Sequence, residues 1–434
     1  MTLNRRDFLR KTTATTLLST VAGSVTLSRA QSNPNDRIVI GVVGVGKQGV
    51  SDFTKAMKFP QTQMVAMCDV VGARRENGKK IANDYYAKLN NQPDYDGVQT
   101  YEDFRELIGR DDIDAVMVVT PDHWHAIPVI AAAKAKKDIY CEKPISRTIA
   151  EGRAMVNAVR DNQVVFQTGS QQRSEYDGKF RIAAELVRNG KIGELISVNV
   201  GVGDPNVPCD LPAEDVPADT NWDLWLGPAP ERPFNQILCP VGVHDHFPAW
   251  RKYREYAGGG VADFGAHHFD IAQWGLGTDD TGPVRIVPPQ DESANRGLML
   301  VYENGIEMFH GGPGGTTWIG TGGIVSVDRS RLDTVPADLR EKNPIGEKDT
   351  KLENAGGKNG FSHMANWIEN IEKRGRCICH EGVGHHSATI CHLTNIGYQL
   401  RRELRWDPKA EQFIDDAEAN KLVDQPMRGD WKLG

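Results

Sequence analysis

Six residues, Gly44-Val45-Gly46-Lys47-Gln48-Gly49, constrain this chain more than any others. They spell G-x-G-x-x-G, and their neighbours give the pattern its meaning. Before them runs Ile38 to Val43, apolar and β-branched with one glycine, which predicts a strand buried on both faces. After them, residues 50–58 are compatible with a helix. A second apolar run, residues 64–68, ends in Asp69, twenty residues beyond Gly49. In a strand–turn–helix, Gly44 permits the tight turn, Gly46 lets backbone approach a pyrophosphate, and Gly49 allows close helix–strand packing. The helix N-terminus then offers unpaired N–H groups to phosphate. An acid at the end of the second strand accepts hydrogen bonds from the adenosine ribose. The pattern predicts dinucleotide binding by Gly44, Gly46, Lys47, Gln48, Gly49 and Asp69. NAD is expected over NADP, because Asp69 would face the extra phosphate with a like charge; Arg74 and Arg75 lie close enough to weaken that preference.

From residue 37 to about 172, apolar runs alternate with helical stretches. Residues 113–119, 138–140 and 164–167 read as strands, and 74–88, 101–107, 128–136 and 149–161 as helices. This predicts an α/β fold, a Rossmann-type doubly wound parallel sheet over residues 37–172. Beyond it the texture changes. Residues 180–189 look helical and 195–202 alternate like a half-buried strand. Residues 203–260 form a long loop rich in proline and tryptophan. Residues 298–302, 306–310 and 324–327 read as antiparallel strands, and 364–373 and 385–404 as helices. Residues 173–434 are therefore expected to form a C-terminal α+β domain with a large open, mainly antiparallel sheet.

The N-terminus is separate from the fold. Asn4-Arg5-Arg6-Asp7-Phe8-Leu9 carries twin arginines, an apolar threonine-rich run follows, and Ser28-Arg29-Ala30 supplies small residues for cleavage. Residues 1–30 read as a twin-arginine export signal, with the export machinery as a partner and an exported, periplasmic location. The run is too short and too polar for a comfortable membrane span. A net charge of −7, with no basic block beyond the N-terminus, argues against nucleic acid. Seven scattered cysteines imply no disulfide framework; a Cys209–Cys239 bridge stays open without support. Cys377-x-Cys379-His380, His385-His386 and Cys391-His392 match no common zinc spacing, so no metal is expected there. Histidines on a helix at that place would face solvent or the cleft.

Two strand ends carry chemistry: Thr120-Pro121-Asp122-His123-Trp124-His125, and Tyr140-Cys141-Glu142-Lys143-Pro144. Both fall at carboxyl ends of parallel strands, where open α/β sheets bind ligands. Lys143 there can hydrogen-bond a substrate hydroxyl and stabilise an alkoxide. Further on, Asp263 and His267 are four apart, so on a helix they share a face. A histidine beside a carboxylate suits general-base work near neutral pH. A capping Asp263 with a core His267 is the plainer alternative.

In this order the glycine turn, Thr120-Pro121 with His125, Glu142-Lys143-Pro144 and Asp263-x-x-x-His267 resemble the Gfo/Idh/MocA family, which contains glucose–fructose oxidoreductase and inositol dehydrogenases. The resemblance runs from about residue 37 to 404. It implies that Lys143 orients the reacting hydroxyl, that His267 takes its proton, and that Asp263 positions the hydroxyl or tunes His267. Thr120, Pro121, His125 and Glu142 would line the nicotinamide ribose side. The second domain would serve substrate and oligomer contacts in a dimer or tetramer. The implied reaction moves hydride between bound NAD and a hydroxyl of a sugar or glycoside. Some relatives instead hydrolyse glycosides with no net redox change, through transient oxidation, and the motifs do not separate the two. A nucleotide-binding sensor without catalysis is disfavoured by the intact Lys143, Asp263 and His267.

Two departures stand out. Lys136 occupies a position where that family usually has a helix-ending glycine, and a left-handed lysine costs roughly 1 kcal/mol. The loop 203–260 is longer than in the sugar dehydrogenases of that family; its Trp222, Trp225, His244, His246 and Trp250 suit a sugar face or simply pack the loop. Arg173, where the chain crosses between domains, is a candidate substrate contact alongside His267. Overall negative charge and aromatics favour a neutral carbohydrate. An exported enzyme meets little free nicotinamide nucleotide, so NAD is expected to be tightly held, with the long loop as its cover.

Overall fold

Strand β1 (Ile38–Val43) lies at the centre of the first sheet. Ile38, Ile40 and Val42 join the apolar cluster on one face and Val43 joins that on the other, the two-sided burial its composition predicts. The glycine that interrupts the run is a packing requirement: a Cβ on Gly41 would meet the Leu107 side chain at 2.6 Å. Around β1 stand β2 (Thr62–Cys68), β3 (Gln99–Tyr101), β4 (Ala115–Val118), β5 (Asp138–Cys141) and β6 (Phe166–Thr168), all parallel, in the order β3-β2-β1-β4-β5-β6. The computed structural model describes residues 37–355 and 362–434. The export signal expected at residues 1–30 lies outside the described residues.

The second sheet is antiparallel throughout. It comprises β7 (Leu195–Gly201), β8 (Arg285–Val287), β9 (Met299–Val301), β10 (Glu307–Gly320), β11 (Gly323–Val327), β12 (Leu332–Val335), β13 (Leu404–Asp407) and β14 (Gln412–Phe413). The path runs β12-β11-β10-β9-β8-β13-β14, and β7 pairs with β10 along both halves of that long, bulged strand. Helices Lys179–Arg188 and Gly265–Leu276 cover it, burying Phe180, Ala184, Phe269 and Ile271 with Val198, Val200 and Trp318 in one cluster.

Several expectations need revision. The helix expected over residues 101–107 is shorter and later: residues 99–101 form a strand, and only Phe104–Ile108 is helical, started by Asp103, whose side chain accepts from Arg105 N. Helix Ser362–Lys373, from the expected second domain, packs Met364, Trp367, Ile368 and Ile371 against the β1 face of the first sheet. Helix Glu381–Leu400 begins earlier than expected, because the His380 side chain accepts from Gly382 N and caps it. Two of its histidines face neither solvent nor the cleft: His385 and His392 are buried, and His385 Nε2 lies 2.5 Å from Glu411 Oε1, while His386 is half-buried. Cys209 and Cys239 are unpaired thiols; Arg232 and Arg74 respectively approach their sulfurs.

Lys136 does adopt the left-handed conformation, at φ 60°. The helix Ala126–Lys134 ends there in a Schellman arrangement, with Lys137 N donating to Ala132 O and Lys136 N to Ala133 O. The loop 203–260 builds its own small core. Trp222 and Trp225 stack at 4.7 Å and pack with Phe234, Leu238, Trp250 and Tyr256. Among the described residues no helix is long and apolar enough to cross a membrane.

Candidate functional site

A cleft of about 430 Å³ opens along the carboxyl ends of the parallel strands. The glycine turn forms one end. Gly44 sits at φ 94°, and a Cβ there would meet Val119 O at 2.4 Å. A Cβ on Gly49 would meet Gly44 O at 2.1 Å, so Gly49 packs the helix Lys47–Ala56 onto the turn and does not line the cleft. Gly46 is the reverse case: a Cβ there would meet nothing within 4 Å. It is the N-cap of that helix and supplies no side-chain cap, which leaves the first N–H groups aimed at open cleft. This cradle fits a pyrophosphate.

Asp69 stands where the ribose reading places it, lining the cleft. Its carboxylate is also structural, accepting from Val45 N at 2.9 Å and Val71 N at 3.0 Å. It therefore fixes the glycine turn as well as facing the nucleotide position. Arg74 lines the cleft too, with its guanidinium donating to Gly242 O at 3.0 Å and to Pro240 O. Arg75 donates to Asp69 O.

The long loop closes over this end. Lys47 Nζ donates to Asp245 O at 3.1 Å, pairs with the Asp245 carboxylate at 3.2 Å and lies 4.8 Å from the Phe247 ring. Together with Arg74 it ties residues 240–247 across the glycine turn. His244, Phe247, Pro248, Trp250 and Arg251 then line the cleft; His246 does not. Trp225 and Trp250 are buried and show the cleft only part of their surface. The loop-packing role predominates.

At the other end, β5 delivers Glu142 and Lys143. Lys143 Nζ donates to Asp263 O and to Asp263 Oδ1, each at 2.7 Å. The helical face expected for Asp263 and His267 is broken: one short helix ends at Asp263, Phe264 intervenes, and Gly265–Leu276 begins a new one. Asp263 consequently pairs with Lys143 and makes no hydrogen bond to His267. Burial would raise the Asp263 carboxyl, but Lys143, Arg251 and Arg329 outweigh it and hold it below the usual carboxylate range. His267 is 4% exposed and lines the cleft, with no hydrogen bond to either ring nitrogen among the described residues. Burial first, then the charges of Lys143 and Arg329, push its pKa well below the ordinary imidazole value. That shift favours the neutral, proton-accepting form of the ring.

Thr120, Pro121 and Glu142 line the cleft as expected, but His125 does not. Its Nδ1 lies 2.8 Å from Pro144 O and its Nε2 2.9 Å from Thr120 O, so it braces the two strand-end loops from behind. Arg173 is also misplaced as a substrate contact. It is 4% exposed, forms a bidentate pair with Asp270 at 2.9 and 2.7 Å, reaches Asp279 at 2.8 Å, and is absent from the cleft wall.

Sequence reasoning missed other members of the site. Asp52, buried in the helix after the glycine turn, approaches Glu142. Burial and then the Glu142 charge push Asp52 well above the carboxylate range. Burial raises Glu142 too. Tyr140 Oη and Gln171 Nε2 both donate to Glu142 Oε1, at 3.3 and 3.2 Å. Arg251 and Arg329, from the loop and from the turn after β11, flank Asp263. Only the regularity of the helix around Asp52 was visible in sequence; a turn arginine carries no signal of its own. The described residues hold no cluster suited to a metal ion.

The chain matches the NAD-binding Rossmann fold of the Gfo/Idh/MocA oxidoreductases over residues 38–170 and their C-terminal alpha/beta domain over residues 208–433. It is 25% identical over 315 residues to the uncharacterized oxidoreductase YrbE of Bacillus subtilis (strain 168), a match spanning 69% of this chain and 76% of that protein. It is 32% identical over 171 residues to the myo-inositol 2-dehydrogenase of Thermotoga maritima, spanning 39% of this chain but only 46% of that enzyme. Among solved structures, the aldose-aldose oxidoreductase of Caulobacter crescentus shares the fold, with a TM-score of 0.56 and 18% identity over 85% of this chain and 99% of the other. The glycine cradle, the paired Lys143 and Asp263, and the two matched domains place this chain in the Gfo/Idh/MocA oxidoreductase family.

Proposed function

We propose that this chain oxidises a hydroxyl of a carbohydrate, with NAD as the resident cofactor. One observation carries the reading: Lys143, Asp263 and the free imidazole of His267 meet in the cleft that begins at the glycine cradle. When bound, NAD supplies the two-electron acceptor that takes the carbinol C–H hydrogen with its electron pair. Gly44, Gly46, Lys47, Gln48 and Asp69 would hold its phosphates and ribose, with Thr120, Pro121 and Glu142 further along. Lys143 donates a hydrogen bond to the reacting oxygen and stabilises its developing negative charge. Asp263 holds the ammonium in place. His267, kept neutral, accepts the hydroxyl proton at a ring nitrogen that has no protein partner.

The tied loop favours slow cofactor exchange, since Lys47 and Arg74 fasten it over the phosphate end. Such retention suits a protein whose twin arginines at Arg5 and Arg6 direct it out of the cytoplasm in folded form. The named relative that oxidises inositol supports a polyhydroxylated substrate. The test is to incubate the protein with NAD and a panel of sugars and glycosides, following reduced nicotinamide and released aglycone together. Reduced nicotinamide without aglycone is the expected result. Aglycone release alone would replace net oxidation with hydrolysis, and neither signal across the panel would sink the reading.

A further inference from the structure

The substrate end of the cleft carries more positive charge than the reaction requires. Arg251 comes from the turn Ala249–Lys252, and Arg329 from the connection between β11 and β12. Each guanidinium is held by aromatic faces. Arg251 lies 4.2 Å from the Trp250 ring and 5.1 Å from the Phe247 ring; Arg329 lies 5.2 Å from both the Tyr176 and Phe264 rings. Stacking of this kind fixes the guanidinium plane and leaves its N–H edge available.

Those edges are scarcely used. Arg329 donates once, from Nε to Gln172 Oε1 at 3.1 Å, and has no carboxylate partner among the described residues. Arg251 donates from Nη1 to Pro248 O at 3.2 Å, and its Nε is 3.8 Å from Asp263 Oδ1, too far for a hydrogen bond. That oxygen is already taken by Lys143. Three other arginines, by contrast, are matched to carboxylates: Arg173 by Asp270 and Asp279, Arg153 by Glu411, Arg428 by Asp223 and Glu231. Of the nearby carboxyls, Asp263 is already held by Lys143, and neither Asp122 nor Glu175 forms an ion pair with Arg251 or Arg329 among the described residues.

We propose that the carbohydrate bound here bears a carboxylate, as a uronic acid or uronoside does, and that Arg251 and Arg329 bind it while Lys143 and His267 act at a ring hydroxyl. The inference rests on the oxidoreductase reading above and narrows its substrate. A planar guanidinium edge matches a carboxylate with two parallel hydrogen bonds. The net charge of −7 favours a neutral sugar only as an average over the surface, whereas substrate meets the local field of the cleft.

The experiment uses the NAD-loaded full chain with matched pairs: methyl hexosides in gluco, galacto and manno configuration, their uronoside counterparts, and their 6-phosphates. Turnover and calorimetric binding are measured for each. The expected result is at least about tenfold higher kcat/KM, or tighter binding, for one uronoside than for its hexoside, the size of one charge-assisted hydrogen bond. The ratio should fall to within about threefold in Arg329→Gln and in Arg251→Gln, with partial recovery in Arg329→Lys. Expressing the effect as a ratio cancels any general loss of activity. Equal use of hexoside and uronoside overturns the proposal and leaves the oxidoreductase reading intact. Preference for the 6-phosphate overturns the carboxylate assignment. Arginine-dependent uronoside binding without nicotinamide reduction would instead overturn the oxidoreductase reading and retain the binding site.

Discussion

His267 has two properties that pull against each other. It is unprotonated and free to accept a proton, yet the burial and positive charge that keep it so make it a weaker base. The sign of the effect on pH dependence follows. Burial, Lys143 and Arg329 all disfavour the imidazolium, so more acid is needed to form it, and the competent base persists below the ordinary imidazole range. The acid limb of kcat/KM should therefore fall below about pH 6.5, the reference value for histidine; a pH–rate profile with its limb at or above that value would remove His267 as the titrating group. Lys136 offers a second prediction at this scale. Its φ of 60° has no steric need for a lysine side chain, which is exposed and makes only a 3.4 Å contact with Asn162 O. Lys136→Gly should raise stability by roughly 0.5–1 kcal/mol, read from urea unfolding, because relief of left-handed strain exceeds the entropic cost of glycine. A loss of stability would mean the lysine stem matters more than the backbone.

Between elements, the buried pair Arg173–Asp270 joins the turn Gln171–Arg173 to helix Gly265–Leu276. Ser387 Oγ donates to Asp270 Oδ1 at 2.8 Å and brings in helix Glu381–Leu400. Asp270 is 0% exposed, so removing Arg173 would strand a carboxylate in the core. Arg173→Ala should cost about 3–5 kcal/mol of stability, measured by denaturant unfolding, and should act on folding before KM. A stable variant with raised KM alone would restore Arg173 as a substrate contact. This element also shows what sequence can and cannot reveal. Strands buried on both faces, the glycine turn and the lysine at a strand end were legible because each obeys a local rule of period or spacing. Arg173 was misjudged because its partner Asp270 lies nearly a hundred residues away, the Asp263–His267 pair because spacing cannot register a helix break at Phe264, and His125 because its partners are backbone carbonyls, Thr120 O and Pro144 O, which leave no mark in the sequence. β3 was missed because three residues are too few to show a period. Arg251 and Arg329 were invisible as site members because only the folded loop and hairpin bring them to Asp263.

At the scale of the whole molecule, the loop 203–260 reaches from the second domain to the glycine turn of the first. It begins in the second domain, forms its own tryptophan core, and is fastened over the glycine turn by Lys47 and Arg74. Protein purified without added cofactor and then denatured should release near-stoichiometric NAD with little NADP; an empty cleft filled only at millimolar NAD would contradict the fastened loop. Chemistry at Lys143 and His267 is the central claim, and its most direct measurement is a single-turnover reaction. The NAD-loaded protein is mixed with an active carbohydrate from the panel, and reduced nicotinamide is followed by absorbance for the native chain and His267→Ala. Reduced nicotinamide should form in the native chain, and at a rate at least about a hundredfold lower in the variant with cofactor content unchanged, the usual contribution of a general base. Equal rates in the two proteins would contradict that role.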